Sequence, residues 1–185
     1  MEAIASASIN KQKAKICLIM LTMIHFHKAL AKLKESKEFA KFKEENKDAY
    51  LCSAFFIIDY ETKINTQQID FFLPKENKIC LFNINGKITR KIDDIFETKE
   101  KKLEELDPHV MIEVKDVEEI AKKEWKDKSI KKIFAVLQKK ENNQRWNLTC
   151  ITEGAIILKM QIDSETGKIF KKEERNLMDF IKKAK

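Results

Sequence analysis

The stretch that decides the fold runs from Arg145-Trp146-Asn147-Leu148 to Ile162-Asp163-Ser164-Glu165-Thr166-Gly167-Lys168-Ile169. Apolar residues alternate with polar ones through it, which is the period of a half-buried strand. Glu153-Gly154 and Glu165-Thr166-Gly167 interrupt the alternation as tight turns, so three consecutive strands fold back on one another. Consecutive antiparallel strands joined by such turns make a meander. A meander needs cover on only one face.

Upstream, Ile130 to Gln138 reads as one more strand and Glu141-Asn142-Asn143 as a turn. Before it, Asp116 and Glu119 form a D-x-x-E capping box, followed by Val117, Ile120, Ala121 and Trp125 at helical spacing. Leu177, Phe180 and Ile181 suggest a short C-terminal helix. The first half has the same order. Phe26 to Lys47 reads as a helix with Leu30, Leu33, Phe39 and Phe42 near one face. Strands follow at Tyr50–Tyr60, Gln67–Leu73, Lys78–Ile84 and Lys87–Ile92. Pro74 closes the second strand, because it cannot donate to a ladder. Asn85-Gly86 is the strongest short hairpin signal, since both residues tolerate positive φ. The two halves also register: Gln67-Gln68-Ile69-Asp70-Phe71-Phe72 falls where Gln144-Arg145-Trp146-Asn147-Leu148-Thr149 falls. Asn85-Gly86-Lys87-Ile88 likewise falls where Thr166-Gly167-Lys168-Ile169 falls. An offset of roughly 80 residues is too long for a solenoid and points to duplication of a small domain.

The expected fold class is therefore α+β: two tandem units, each a helix packed on a four-stranded antiparallel meander. Residues 26–95 form the first unit, 96–112 a charged linker punctuated by Pro108, and 113–185 the second unit with its C-terminal helix. Residues 1–25 read as a tail or a mis-assigned start, with Met20 and Met23 as alternative starts.

The helix ending near Trp125, the Arg145-Trp146-Asn147-Leu148 strand and the aspartate-led turn Asp163 to Ile169 resemble a PepSY-like domain, a small module of cystatin-like helix-plus-meander fold. Residues 26–95 resemble a degenerate copy that keeps Asn85-Gly86-Lys87 and lacks the aspartate-led turn. The resemblance implies an inhibitory or binding role, in a family whose relatives occur in peptidase propeptides and in membrane or secreted proteins. It supplies no catalytic residues.

Composition narrows the chemistry further. The chain has three glycines, Gly86, Gly154 and Gly167, each in a turn. A phosphate-cradling loop needs clustered glycines, so Walker-type and Rossmann nucleotide binding are set aside. Cys17, Cys52, Cys80 and Cys150 are far apart with no C-x-x-C, and three of them sit in apolar strands as buried free thiols. His25 and His27, at i and i+2, share no helix face, and His109 reads as a solvated linker residue. No cofactor or metal is expected. The carboxylate pairs Asp93-Asp94, Glu104-Glu105, Glu118-Glu119 and Glu173-Glu174 are adjacent and diverge as solvated charge. Asn147-Leu148-Thr149 is a formal glycosylation sequon inside a central strand, best explained by chance.

The net charge of +7 is spread over both halves, and a Lys/Glu-rich solvated surface accounts for it better than nucleic-acid binding. Arg90, Arg145 and Arg175 are too few for base readout by bidentate contacts. Three aromatics stand out as partner-binding candidates: Phe55, Phe72 and Trp146. One of each adjacent pair Phe55-Phe56 and Phe71-Phe72 must point away from the core. The expected function is thus a non-enzymatic module that binds a protein or peptide by a sheet edge or aromatic patch. The alternative is a basic nucleic-acid- or ribosome-associated protein. No integral membrane span is expected, since the apolar run Ile16–Phe26 is too short. The expected location is cytoplasmic, with export through a weak signal in residues 11–31 as the alternative.

Overall fold

The computed structural model describes residues 25–95, 103–154 and 156–176. Residues 1–24, the first seven residues of the expected linker and the expected C-terminal helix lie outside them. Three helices and eight strands are described: α1 (Phe26–Lys34), α2 (Lys37–Glu45), β1 (Tyr50–Asp59), β2 (Thr66–Leu73), β3 (Lys78–Asn83), β4 (Thr89–Asp94), α3 (Val114–Glu124), β5 (Ile130–Lys140), β6 (Asn143–Thr152), β7 (Ile156–Asp163) and β8 (Ile169–Asn176). The protein is α+β. Its strands form one continuous antiparallel sheet in the order β4-β3-β2-β1-β5-β6-β7-β8. Each run of four is a meander, and β1 and β5 join them at the centre through Ala54↔Leu137, Phe56↔Ala135 and Ile58↔Ile133.

Period-two alternation sends one set of side chains to a single core. Phe56, Ile69, Phe82, Ile133, Leu137, Trp146, Leu148 and Leu158 are all buried there with the inner faces of the three helices. Phe39 and Phe42 of α2 meet Phe71 and Phe82 at ring-centroid distances of 5.0–5.7 Å, edge-on or tilted as aromatic quadrupoles prefer.

The expected helix from Phe26 to Lys47 is two helices. The Ser36 hydroxyl donates to the Leu33 carbonyl and accepts from Phe39 N–H, so it ends one helix and caps the next. The Asn85-Gly86 hairpin also differs from expectation. Asn83 pairs with Thr89, leaving a longer loop in which Gly86 takes positive φ and Asn85 does not. Asn85 instead uses its side chain, accepting from Gln67 N–H and donating to the Asn65 carbonyl. The two-residue turn with both residues at positive φ lies at Glu141-Asn142. The Glu104 carboxylate accepts from both of its backbone N–H groups.

The capping box of α3 lies one turn earlier than its sequence signature. Glu113 is the N-cap and Asp116 returns the bond to Glu113 N–H. The reason is tertiary: Glu113 also accepts from Phe26 N–H at 2.7 Å and His27 N–H at 3.1 Å, so one carboxylate serves the amino ends of α1 and α3. His27 Nδ1 lies 2.5 Å from the same group. Both helix dipoles favour a negative charge at this point. Glu113→Ala is expected to lower stability by about 2–3 kcal/mol, with Glu113→Gln losing less. A urea midpoint unchanged in the Ala variant would remove the shared-cap account.

The described part of the expected linker is bound into the fold. Leu106 and Val110 are buried, Leu106 N–H donates to the Leu51 carbonyl, and Gln144 exchanges two hydrogen bonds with the Asp107 backbone. His109 is exposed, as expected.

A candidate binding face

All three helices belong to the core side of the sheet, so the opposite side carries none of the described helices. The ladder register says which residues stand on that open face. Phe55 and Ile57 of β1 lie beside Val136 and Phe134 of β5, at the centre of the eight strands. The Phe55 and Phe134 rings stack with centroids 6.3 Å apart. These four side chains are only partly buried. Polar residues flank them on both sides. Toward β2, Gln68 Nε2 donates to Asp70 at 2.8 Å, and the Ser53 hydroxyl donates to the other Asp70 oxygen at 2.5 Å. Toward β7, Gln161 Nε2 donates to Asn147 Oδ1 at 3.1 Å. A patch of apolar side chains ringed by amides and hydroxyls has the make-up of a protein interface.

Asp70 is the electrostatic oddity of this face. It is 4% exposed, and burial pushes its carboxyl up to about 6, while the bonds from Ser53 and Gln68 pull the other way. The sequence offered no flag for it beyond an acidic residue between Ile69 and Phe71.

Of the three expected partner-binding aromatics, the structure leaves Phe55 at the surface. Trp146 is 0% exposed on the helix side, with its Nε1–H donating to the Ile112 carbonyl at 2.8 Å. It meets Phe56 rather than any partner surface. The alternation Trp146-Leu148-Cys150 already places it with the core residues. Phe72 does face away from the core but is 4% exposed, packed against Tyr50, whose hydroxyl donates to the Leu103 carbonyl. The face residues missed in the sequence are Ile57, Phe134 and Val136. They belong to two strands far apart in the chain, and only the β1–β5 pairing brings them together.

The edges of the sheet differ from its face. β4 carries Arg90, Lys91, Asp93 and Asp94, and β8 carries Lys171, Lys172, Glu173, Glu174 and Arg175. Charged edge strands discourage the addition of another strand.

Nucleophilic chemistry finds little support among the described groups. Burial pushes the Cys52, Cys80 and Cys150 thiols up to about 12, so thiolate is scarce at neutral pH. Burial lowers the pKa of His25, which stands with His27 at Glu113. Among the described residues no group of three or more His, Cys, Asp or Glu is placed to hold a metal ion. No described helix is long and apolar enough to cross a membrane.

No family model and no curated protein matches the chain. Among solved structures, it is similar to a candidate lipoprotein from Clostridium difficile 630, with 16% sequence identity and a TM-score of 0.53. The similarity covers 75% of this chain and 90% of the other. At that identity the likeness concerns the fold: an α+β chain whose helices cover an antiparallel sheet.

Proposed function

We propose that the protein is a non-enzymatic binding module, built of two tandem PepSY-like units, that holds a protein or peptide on the face of its sheet that carries none of the described helices. The observation that carries this is the Phe55-Ile57-Phe134-Val136 cluster, apolar and partly exposed at the centre of a face with no described helix over it. The face is preferred to the sheet edges because of the charge on β4 and β8.

Turn chemistry supports the duplication. In the β7–β8 turn, Asp163 Oδ1 accepts from the N–H groups of Glu165 and Thr166. In the β3–β4 turn, Asn83 Oδ1 accepts from Asn85 N–H, so an Asx residue leads the corresponding turn of the first half. Gly86 and Gly167 take positive φ of 63° and 72°, three residues after Asn83 and four after Asp163. The neighbour's description as a candidate lipoprotein favours the exported alternative for location over the cytoplasmic one. Buried thiols suit either compartment.

The test is crosslinking and affinity capture from the native source, comparing the wild-type protein with a Phe55→Ser/Phe134→Ser double variant. Removing two central contacts is expected to weaken capture of any specific partner by about tenfold or more while the cooperative melt is retained. An identical set of partners, held equally by a folded double variant, would overturn the assignment to this face.

A further inference from the structure

The open face is uneven in charge. Its β5–β8 half carries Lys132, Arg145, Lys159, Lys171 and Arg175 against Asp163 and Glu173. Lys132 is engaged by Asp59 at 2.8 Å, and Asp163 is folded into its own turn. Lys159, Lys171 and Arg175 surround Glu173, which contacts Lys171 at 2.6 Å and Arg175 at 3.0 Å, while Arg145 lies across the ladder from Asp163. Lys159 is exposed and has no ion pair among the described residues. A depression of about 340 Å³ lies between these residues, lined by Thr149, Lys159, Gln161, Lys171, Glu173 and Arg175 among others.

Arg145 adjoins the depression through Gln161 and holds unused hydrogen-bonding capacity. Its Nε is buried without a partner, Nη1 reaches Gln161 Oε1 at 3.5 Å, and Nη2 reaches the Lys140 carbonyl at 3.3 Å. Its guanidinium lies 5.7 Å from the ring centre of Phe170, which is 49% exposed. Nη1 and Nη2 each make a single long bond and each carry a second N–H that an arriving carboxylate can take. An arginine beside an exposed aromatic ring is also a common composition for interface hot spots.

We infer that this half of the face receives the carboxylates of an acidic protein segment, with Arg145, Lys159 and Lys171 as recognition residues and Phe170 as an apolar contact. The inference rests on the open face being the binding surface and adds the chemistry of the partner. A nucleic-acid strand fits less well. The Phe55 and Phe134 rings pack on each other instead of standing apart as a platform for bases.

The test uses two probes on the full chain: a fluorescein-labelled poly-glutamate peptide with one internal phenylalanine, and a single-stranded DNA oligonucleotide of matching charge. Binding is read by anisotropy at rising NaCl. Lys159→Glu/Lys171→Glu is expected to weaken peptide binding by about tenfold or more, while a Lys28→Glu/Lys34→Glu pair on α1 changes it by about twofold or less. The milder Lys159→Gln/Lys171→Gln pair should fall between and serves if the reversal fails to fold. Equal weakening by the α1 pair would reduce the effect to bulk charge and overturn the inference, as would tighter binding of the oligonucleotide. Loss of peptide binding in the β7–β8 pair but not in Phe55→Ser/Phe134→Ser would keep this inference and remove the central cluster from the wider reading. The opposite pattern would do the reverse.

Discussion

Trp146→Ala is expected to destabilise the protein by about 3–5 kcal/mol, enough to consume much of the stability of a domain this size. The indole is fully buried and sits where several elements converge: its ring lies 5.9 Å from Phe56 of β1, and its N–H satisfies the Ile112 carbonyl just ahead of α3. Truncation leaves a cavity between the two meanders and orphans that carbonyl. Trp146→Phe separates the two contributions. It keeps most of the packing and should cost about 1–3 kcal/mol, the penalty of an unmade hydrogen bond plus a small void. Phe55→Ala, at a partly exposed site, should cost about 1 kcal/mol. Far-UV circular dichroism in urea would measure all three without relying on the removed fluorophore. A Trp146→Ala variant within 1 kcal/mol of wild type would refute the bridging role.

The second large effect depends on pH and has the opposite sign. Asp70 titrates near 6 in the folded protein because burial disfavours its charged form. In the unfolded chain it titrates near 3.9. Between those values the folded state binds more protons than the unfolded one, so stability falls as pH rises through about 4 to 6. Two pKa units correspond to about 3 kcal/mol at most. Asn at this position resembles the neutral carboxyl. Asp70→Asn is therefore expected to stabilise the protein by about 1–3 kcal/mol at pH 8 and by little at pH 4. Unfolding free energies across this range would decide it, and a pH-independent difference would show that Asp70 is not the group responsible. A buried carboxyl that weakens the native state at neutral pH, on the face proposed for binding, fits the usual trade of stability for function.

Much of the fold was legible because it rests on local patterns. The eight strands lie within a few residues of their expected positions, since apolar alternation and turn residues act over short stretches. The errors have a common cause. Ser36 splits a helix through side-chain bonds to Leu33 and Phe39 that compete with helix continuation. Glu113 starts α3 a turn early because it also caps α1, 87 residues away in the chain. A shared Ile-Asp-x-Glu-Thr pattern, Ile58-Asp59-Tyr60-Glu61-Thr62 and Ile162-Asp163-Ser164-Glu165-Thr166, closes both β1 and β7. In both, the Asp oxygen accepts from the N–H groups two and three residues on, and Lys63 takes a positive φ of 61° where the β7–β8 turn has Gly167.

The sequence by itself determined the elements and their order, since strand alternation, caps and turns are properties of neighbouring residues. It also determined that Trp146 faces the same way as Leu148 and Cys150, because a strand has a strict period of two. The tertiary structure alone decided that β1 pairs with β5. That pairing joins the two meanders into one sheet and assembles Phe55, Ile57, Phe134 and Val136 into a single surface. It also decided the environment of Asp70 and Arg145, whose energetics depend on burial and on partners across strands. Burial and cross-strand partners are set by packing between segments distant in the chain, and no local pattern encodes them.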